Sequence, residues 1–310
     1  MPSYEVYRQG VDLGHVGLAS TIGVVLTTVI FAISLVITRI GDRMRVSTAE
    51  RSMNYVVLLL FAAFALAPFV VIVTGALQPD AEAPGGLANL REAWRIGHFG
   101  SYLRNSAMVS LFVVSVSTVL SILAGYALGA MRFRGATPVF YNMLLGIMMP
   151  AEAIVIPLFY DLRALHLTDT FWAIAMPQVA QSVAFGTFWL RSFFRTSSRS
   201  LIEAARLDSA GHWRVLWQVL VPLARPAILT LVILSFLWTW NEFLIPLVLA
   251  PTNEAIRTAP LGLSFFSGQY TQGFALLAAG SVIIAAPIVV LYLFLQRHVI
   301  AGMLEGAVKD

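Results

Sequence analysis

Two groups of residues in this 310-residue chain stand where chemistry could be done. The first is a polar island, Ser200-Leu201-Ile202-Glu203-Ala204-Ala205-Arg206-Leu207-Asp208-Ser209-Ala210-Gly211, closed by Pro222 and flanked by apolar stretches. Ser200-x-x-Glu203 has the spacing of a capping box, in which the serine accepts from the Glu203 amide and the glutamate reaches back. Asp208 to Gly211 supplies turn residues. After it, Trp213, Leu216, Trp217 and Leu220 recur at i, i+3, i+4 and i+7 as one apolar stripe. The loop 191–226 therefore reads as two short helices with a bend. Small Ala204 and Ala205 among charges suit insertion into a groove on another protein. The competing reading is an amphipathic helix lying on lipid headgroups, with Glu203 serving only as a cap.

The second group is a set of polar residues inside otherwise apolar segments: Glu152, Gln178, Gln181, Asn241 and Glu242. An ionisable group at membrane depth commonly faces a cavity or pathway; a carboxylate there can also simply cap a helix break. Counted along straight helices from Pro138 and Ala227, Glu152 and Glu242 lie roughly 21–23 Å from the inner boundary. Gln178 and Gln181 approach that level from the other direction. The chemistry this permits is solute passage. A Gly-x-x-x-x-Gly-Lys-Ser/Thr phosphate loop is absent, so the chain does not hydrolyse ATP itself. His15, His98, His166, His212 and His298 are scattered with no i, i+4 pair, so no metal is expected. With no cysteine, disulfides and thiolate-bound metals are excluded.

The elements that must position these residues are membrane helices. The chain is 58% hydrophobic and 12% charged, with a mean hydropathy of +0.80, far more apolar than a soluble domain. A span needs about 20 apolar residues. Seven candidates fall near 16–38, 54–77, 105–130, 138–160, 170–190, 227–250 and 276–296. Backbone polar groups in lipid must be satisfied within each segment, so the fold class is an all-α polytopic membrane protein. Fourteen of the 20 lysines and arginines fall in loops 39–53, 131–137 and 191–226 and in the tail 297–310. That excess marks the cytoplasmic side and predicts N-terminus out, C-terminus in. The net charge of +4 thus sets topology and implies no nucleic-acid partner. Residues 1–38 hold only Arg8 before a run too long for a secretory signal, and read as a retained helix. Gly125-x-x-x-Gly129, in a span rich in serine, predicts close helix packing.

Glu203-Ala204-Ala205, Asp208 and Pro222 resemble the signature cytoplasmic loop of the permease subunits of ATP-binding-cassette importers. In that family's pattern a glycine stands where this chain has Ser209, an isoleucine at Val219 and a leucine at Val221; Gly211 is the candidate substitute for the missing glycine. Arg104-Asn105-Ser106, Arg132-Phe133-Arg134-Gly135, Ile156-Pro157-Leu158, Leu167-Thr168-Asp169-Thr170 and Trp240-Asn241-Glu242-Phe243 extend the likeness, as does the tail Gly306-Ala307-Val308-Lys309. It covers about residues 52–310 and is strongest to maltose-type carbohydrate importers.

The resemblance implies a six-helix permease core in 51–310 and an extra N-terminal helix and basic loop in 1–50, seven spans in all, in a bacterial inner membrane. It implies a second homologous permease subunit, two ATPase subunits carrying ATP and Mg, and an extracytoplasmic solute-binding protein. This chain itself would bind no cofactor. Glu203, Ala204, Ala205, Asp208, Ser209, Gly211 and Lys309 would meet an ATPase subunit, and the outer loop 251–272 would face the binding protein. An ion-coupled secondary transporter is the alternative, with Glu152 and Glu242 as coupling groups, but no internal repeat supports it.

Overall fold

The computed structural model describes residues 48–131, 133–196, 199–269 and 273–307. The expected span at 16–38, the N-terminal orientation and Lys309 lie outside the described residues. The described residues divide between Phe69 and Val70 into two units. The described residues are almost wholly helical: α1 Thr48–Leu77, α2 Leu87–Ile96, α3 Phe99–Ala130, α4 Ala136–Met148, α5 Ala151–Ala164, α6 Phe171–Thr196, α7 Arg199–Leu207, α8 His212–Leu223, α9 Arg225–Asn241, α10 Leu244–Leu249, α11 Ala259–Gln269 and α12 Phe274–Ala307.

Asn54–Leu77, Phe99–Ala130 and Phe274–Phe294 are each long and apolar enough to cross a membrane. Two bent pairs, α4 with α5 and α8 with α9, raise the number of candidate spans among the described residues to five. The chain is a multi-pass membrane protein. The helix expected at 138–160 is broken at Met149-Pro150, where α4 and α5 diverge by 100°. Pro150 has no N–H to continue the helix, and it restricts Met149 to the extended backbone observed there (ψ 126°). The straight-helix depth count therefore fails for Glu152. α6 is long enough to span, but Pro177, Gln178 and Gln181 dilute its apolar run.

The core of the second unit is the pairing of α3 with α6. An added Cβ at Gly125 would stand 3.0 Å from Leu190 Cβ and 3.1 Å from the Arg191 amide nitrogen; at Gly129 it would stand 3.0 Å from the Arg191 carbonyl oxygen. The glycines let the two backbones touch, as their spacing predicts. The Arg191 Nε donates to the Leu128 carbonyl at 3.1 Å, and its guanidinium lies 3.7 Å over the Phe140 ring of α4. α9 joins through Trp189 Nε1, which donates to the Ala227 carbonyl. Trp240 Nε1 donates to the Ile284 carbonyl and links α9 to α12.

Candidate functional site

Three regions of the second unit carry the polar chemistry. The first is the pair α7 and α8. The loop 191–226 does hold two short helices with a bend, except that residues 191–196 belong to the end of α6 and residues 225–226 to the start of α9. α7 begins at Arg199, so Ser200 sits inside the first turn and not at the cap that the Ser200–Glu203 box requires. Ile202 and Ala205 of α7 and Ala210 of the turn rest on an apolar cluster built from Ile122, Tyr126, Leu190, Phe194, Leu216 and Leu220. Glu203, Ala204, Leu207, Asp208, Ser209 and Gly211 are exposed.

The stripe on α8 divides. Leu216 and Leu220 are buried, Trp217 is half-buried, and Trp213 remains 67% exposed with its ring against Trp217. Residues Val215–Leu220 are π-helical, and this wider turn brings Val215 into the core instead of Trp213.

The turn between the helices corrects the sequence reading of its glycine. Ser209 itself adopts the left-handed conformation, φ 58°, while Gly211 is extended at φ −69°, ψ 165°. The Ala210 amide donates to the Ala205 carbonyl at 3.0 Å, the six-to-one bond of a Schellman ending. Gly211 does not stand in for a glycine at 209; the serine makes the bend. From the far side of the turn, His212 Nδ1 and the Tyr126 hydroxyl share a hydrogen bond of 3.0 Å.

The second region is a cavity of about 480 Å³ walled by α4, the start of α5, α6 and the end of α9. Gln178, Gln181, Asn241 and Glu242 all line it, with Ser182, Thr239, Phe185 and Trp238. Glu152 is exposed and not part of the lining, because the bend at Pro150 takes α5 off the line of α4. The Gln178 amide donates to the Ile174 carbonyl at 2.9 Å, and its Oε1 is buried without a protein partner. Glu242 has a second task. Its Oε1 accepts from the Ile245 amide at 3.0 Å and caps α10 where α9 breaks. A mostly apolar chamber of about 280 Å³, lined by residues including Ile154, Leu158, Pro177 and Ile245, shares Gly146, Ala151 and Gln181 with the first.

The third region lies within the loop 251–272 expected to face a binding protein, but how that loop is anchored was not predicted from sequence. The segment after α10 is fastened to α3 and to the loop before α6, mostly by side chains whose partners are backbone groups. Asp169 Oδ1 accepts from the amides of Thr252 (2.9 Å) and Asn253 (3.2 Å), and the Asn253 side chain donates to the Asp169 carbonyl. The buried Asn105 amide of α3 donates to the carbonyls of Ala255 (2.8 Å) and Arg257 (3.0 Å), and Ser106 Oγ accepts from Ala259. The Tyr102 hydroxyl donates to Glu254 Oε1 at 3.0 Å. Buried Arg257 lies 3.5 Å from Glu254 and stacks 4.0 Å over the Phe265 ring. The Arg104-Asn105-Ser106 and Leu167-Thr168-Asp169-Thr170 motifs were the available signal, and this clamp is their physical content. Thr170 also accepts from the Ala173 amide and caps α6.

Comparison with known proteins agrees with this architecture. Residues 117–305 match the family "Binding-protein-dependent transport system inner membrane component". The trehalose transport system permease protein SugB of Mycobacterium tuberculosis is 34% identical over 84% of this chain and 99% of its own length. The arabinooligosaccharides transport system permease protein AraQ of Bacillus subtilis is 29% identical over 79% and 90%. The diacetylchitobiose uptake system permease protein NgcG of Streptomyces coelicolor is 27% identical over 83% and 89%. A bacterial ABC transporter that imports the acidic polysaccharide alginate shares the fold, with a TM-score of 0.68 over 82% of this chain and 99% of that one, at 24% identity. The alginate transporter in complex with an alginate pentasaccharide-bound periplasmic protein gives 0.63 over 80% and 94%, at 15% identity. This chain belongs to the binding-protein-dependent inner membrane components: it is a permease subunit of an ATP-binding-cassette importer, a transport component and not an enzyme.

Proposed function

We propose that this permease forms half of the pathway for a sugar, oligosaccharide or polyol and is driven by a separate ATPase subunit seated on α7. The observation that carries the docking reading is the division of α7 into two faces. Ile202 and Ala205 are held on the apolar cluster while Glu203, Ala204, Leu207 and Asp208 stand clear of the protein. A helix lying on headgroups would instead turn its large apolar residues outward together. Small residues beside an exposed carboxylate suit a cleft in another protein. Ser209 and Gly211 shape the end of that surface, and Lys309 is proposed to join it.

The cavity supports a carbohydrate. Gln178, Gln181, Asn241 and Glu242 offer amide and carboxylate groups to hydroxyls, and Trp238 adds a half-exposed ring. Curated relatives named for trehalose, arabinooligosaccharides and diacetylchitobiose point the same way. The full assembly is proposed to hold a second homologous permease, two ATPase subunits binding ATP and Mg, and an extracytoplasmic solute-binding protein that meets the clamped outer segment. Residues 51–310 are assigned as the six-span core and 1–50 as an added helix, seven spans with N-terminus out and C-terminus in, in a bacterial cytoplasmic membrane. Family membership disfavours ion coupling as the alternative.

Glu203→Ala tests the docking surface. In the reconstituted importer, solute uptake should fall at least tenfold, with ATPase subunits lost on purification or hydrolysing ATP without uptake. Wild-type uptake and intact assembly in that variant would remove Glu203 from the docking role.

A further inference from the structure

We infer that the Tyr126–His212 hydrogen bond is the positioning link through which movement of the α7–α8 turn is passed to α3; this rests on α7 being the ATPase docking element. Three observations meet at this bond. His212 is the first residue of α8, directly after the four-residue turn in which Ser209 bends the chain. Displacement of α7 therefore reaches α8 along the chain at His212, beside the apolar cluster that α7 and α8 share. Tyr126 is buried on α3 and meets two elements at once, with its ring edge-on to Phe194 of α6 at 6.4 Å and its hydroxyl on the His212 ring at 3.0 Å.

Ile202 and Ala205 hold α7 on an apolar bed, which is non-directional and tolerates sliding. A hydrogen bond weakens steeply when its angle is lost, so it transmits a pull that an apolar pad lets slip.

α3 is built to receive that pull. Gly125, next to Tyr126, brings α3 against the α6 backbone, so the two helices move together. About 36 Å along the same helix, Tyr102, Asn105 and Ser106 grip the outer segment 254–259. One rigid element thus holds the docking turn at its inner end and the outer segment at the other. Tyr126 and His212 are positioning residues. Neither lines the cavity.

The test uses the complete importer in liposomes and reads ATP hydrolysed per solute taken up, with ATPase attachment checked by co-purification. Tyr126→Phe keeps the ring packing and removes only the hydroxyl; His212→Ala removes the partner; His212→Asn restores a hydrogen-bonding group at the δ position. Each disruptive variant should raise the ratio about two- to tenfold, the range a single hydrogen bond spans. The double variant should be no worse than either single, and His212→Asn should recover most of the coupling. An unchanged ratio with ATPase attached, an additive double variant, or loss of attachment in the single variants would each overturn the inference. A wild-type chain that retains no ATPase subunit would instead overturn the docking reading beneath it.

Discussion

The two ends of α3 are held in opposite ways. At the end proposed to face outward, Tyr102, Asn105 and Ser106 engage residues 254–259 through directional bonds, and Asp169 fastens residues 252–253 from the other side. At the end proposed to face inward, α7 and α8 lie on an apolar bed with the Tyr126–His212 bond at its edge. Hydrogen bonds to backbone groups fix both position and orientation, whereas burial of apolar surface fixes only proximity. The outer segment is therefore presented as a set shape, and the inner segment as a joint. A permease subunit with one surface of fixed shape and another free to shift could present the first for recognition while the second moves.

The comparison breaks most visibly at Asn105. Asn105→Leu strands the buried carbonyl of Arg257, at about 1–3 kcal/mol for an unsatisfied buried group, and frees the part-buried carbonyl of Ala255, which water can re-solvate. The melting temperature of the purified subunit should drop by several degrees, and stimulation of ATP hydrolysis by the solute-binding protein should be lost. An unchanged melting temperature would mean that the outer clamp is no firmer than the inner bed. Asp169→Ala has the next largest effect. It removes a charged acceptor from two amides of a half-exposed segment that water can partly re-solvate, for a cost of about 1–2 kcal/mol. Because the Asp169 amide also donates to the Leu249 carbonyl at the end of α10, loosening this loop should lower uptake more than it lowers ATPase attachment. Equal losses of both would place Asp169 in global stability instead of in the outer clamp.

The two ends also differed in how far they could be read from the chain. The inner one was legible because its signals are local. The glycine pair, the two short helices and small Ala204 and Ala205 among charges all declare themselves by spacing within a few turns, although spacing alone left groove insertion and headgroup contact both open. What escaped there was geometry that spacing does not encode, namely the π-helical turn that exchanges Trp213 for Val215 and the first-turn position of Ser200. The outer clamp was illegible for a physical reason. Asn105 and Asp169 act on backbone groups some 80 to 150 residues away, and a side chain bonded to a distant carbonyl leaves no periodicity. In the cavity, Gln178, Gln181, Asn241 and Glu242 were found from polarity in apolar runs. Glu152 passed the same filter but was carried away by a bend whose angle Pro150 announces only as a break. Glu242 joins both readings considered for it, since it lines the cavity and caps α10.

The smallest predicted effect is also the sharpest test of the joint. Ser209 holds a left-handed backbone that costs an L-residue roughly 1–2 kcal/mol and glycine almost nothing. Glycine gives back part of that gain through the larger entropy of its unfolded chain, about 0.4–1 kcal/mol. Ser209→Gly should therefore stabilise the α7 ending by roughly 0.5 kcal/mol, seen as slower amide exchange at Asp208 and Ala210, whose N–H groups close the turn onto Ala204 and Ala205. Gly211→Ala supplies the contrast. Its backbone is extended, and an added Cβ there meets nothing within 4 Å, so exchange in the turn should be unchanged. Should Gly211→Ala instead accelerate exchange while Ser209→Gly does nothing, the bend would reside at 211. The inner end would then be hinged two residues nearer α8, immediately beside the Tyr126–His212 bond.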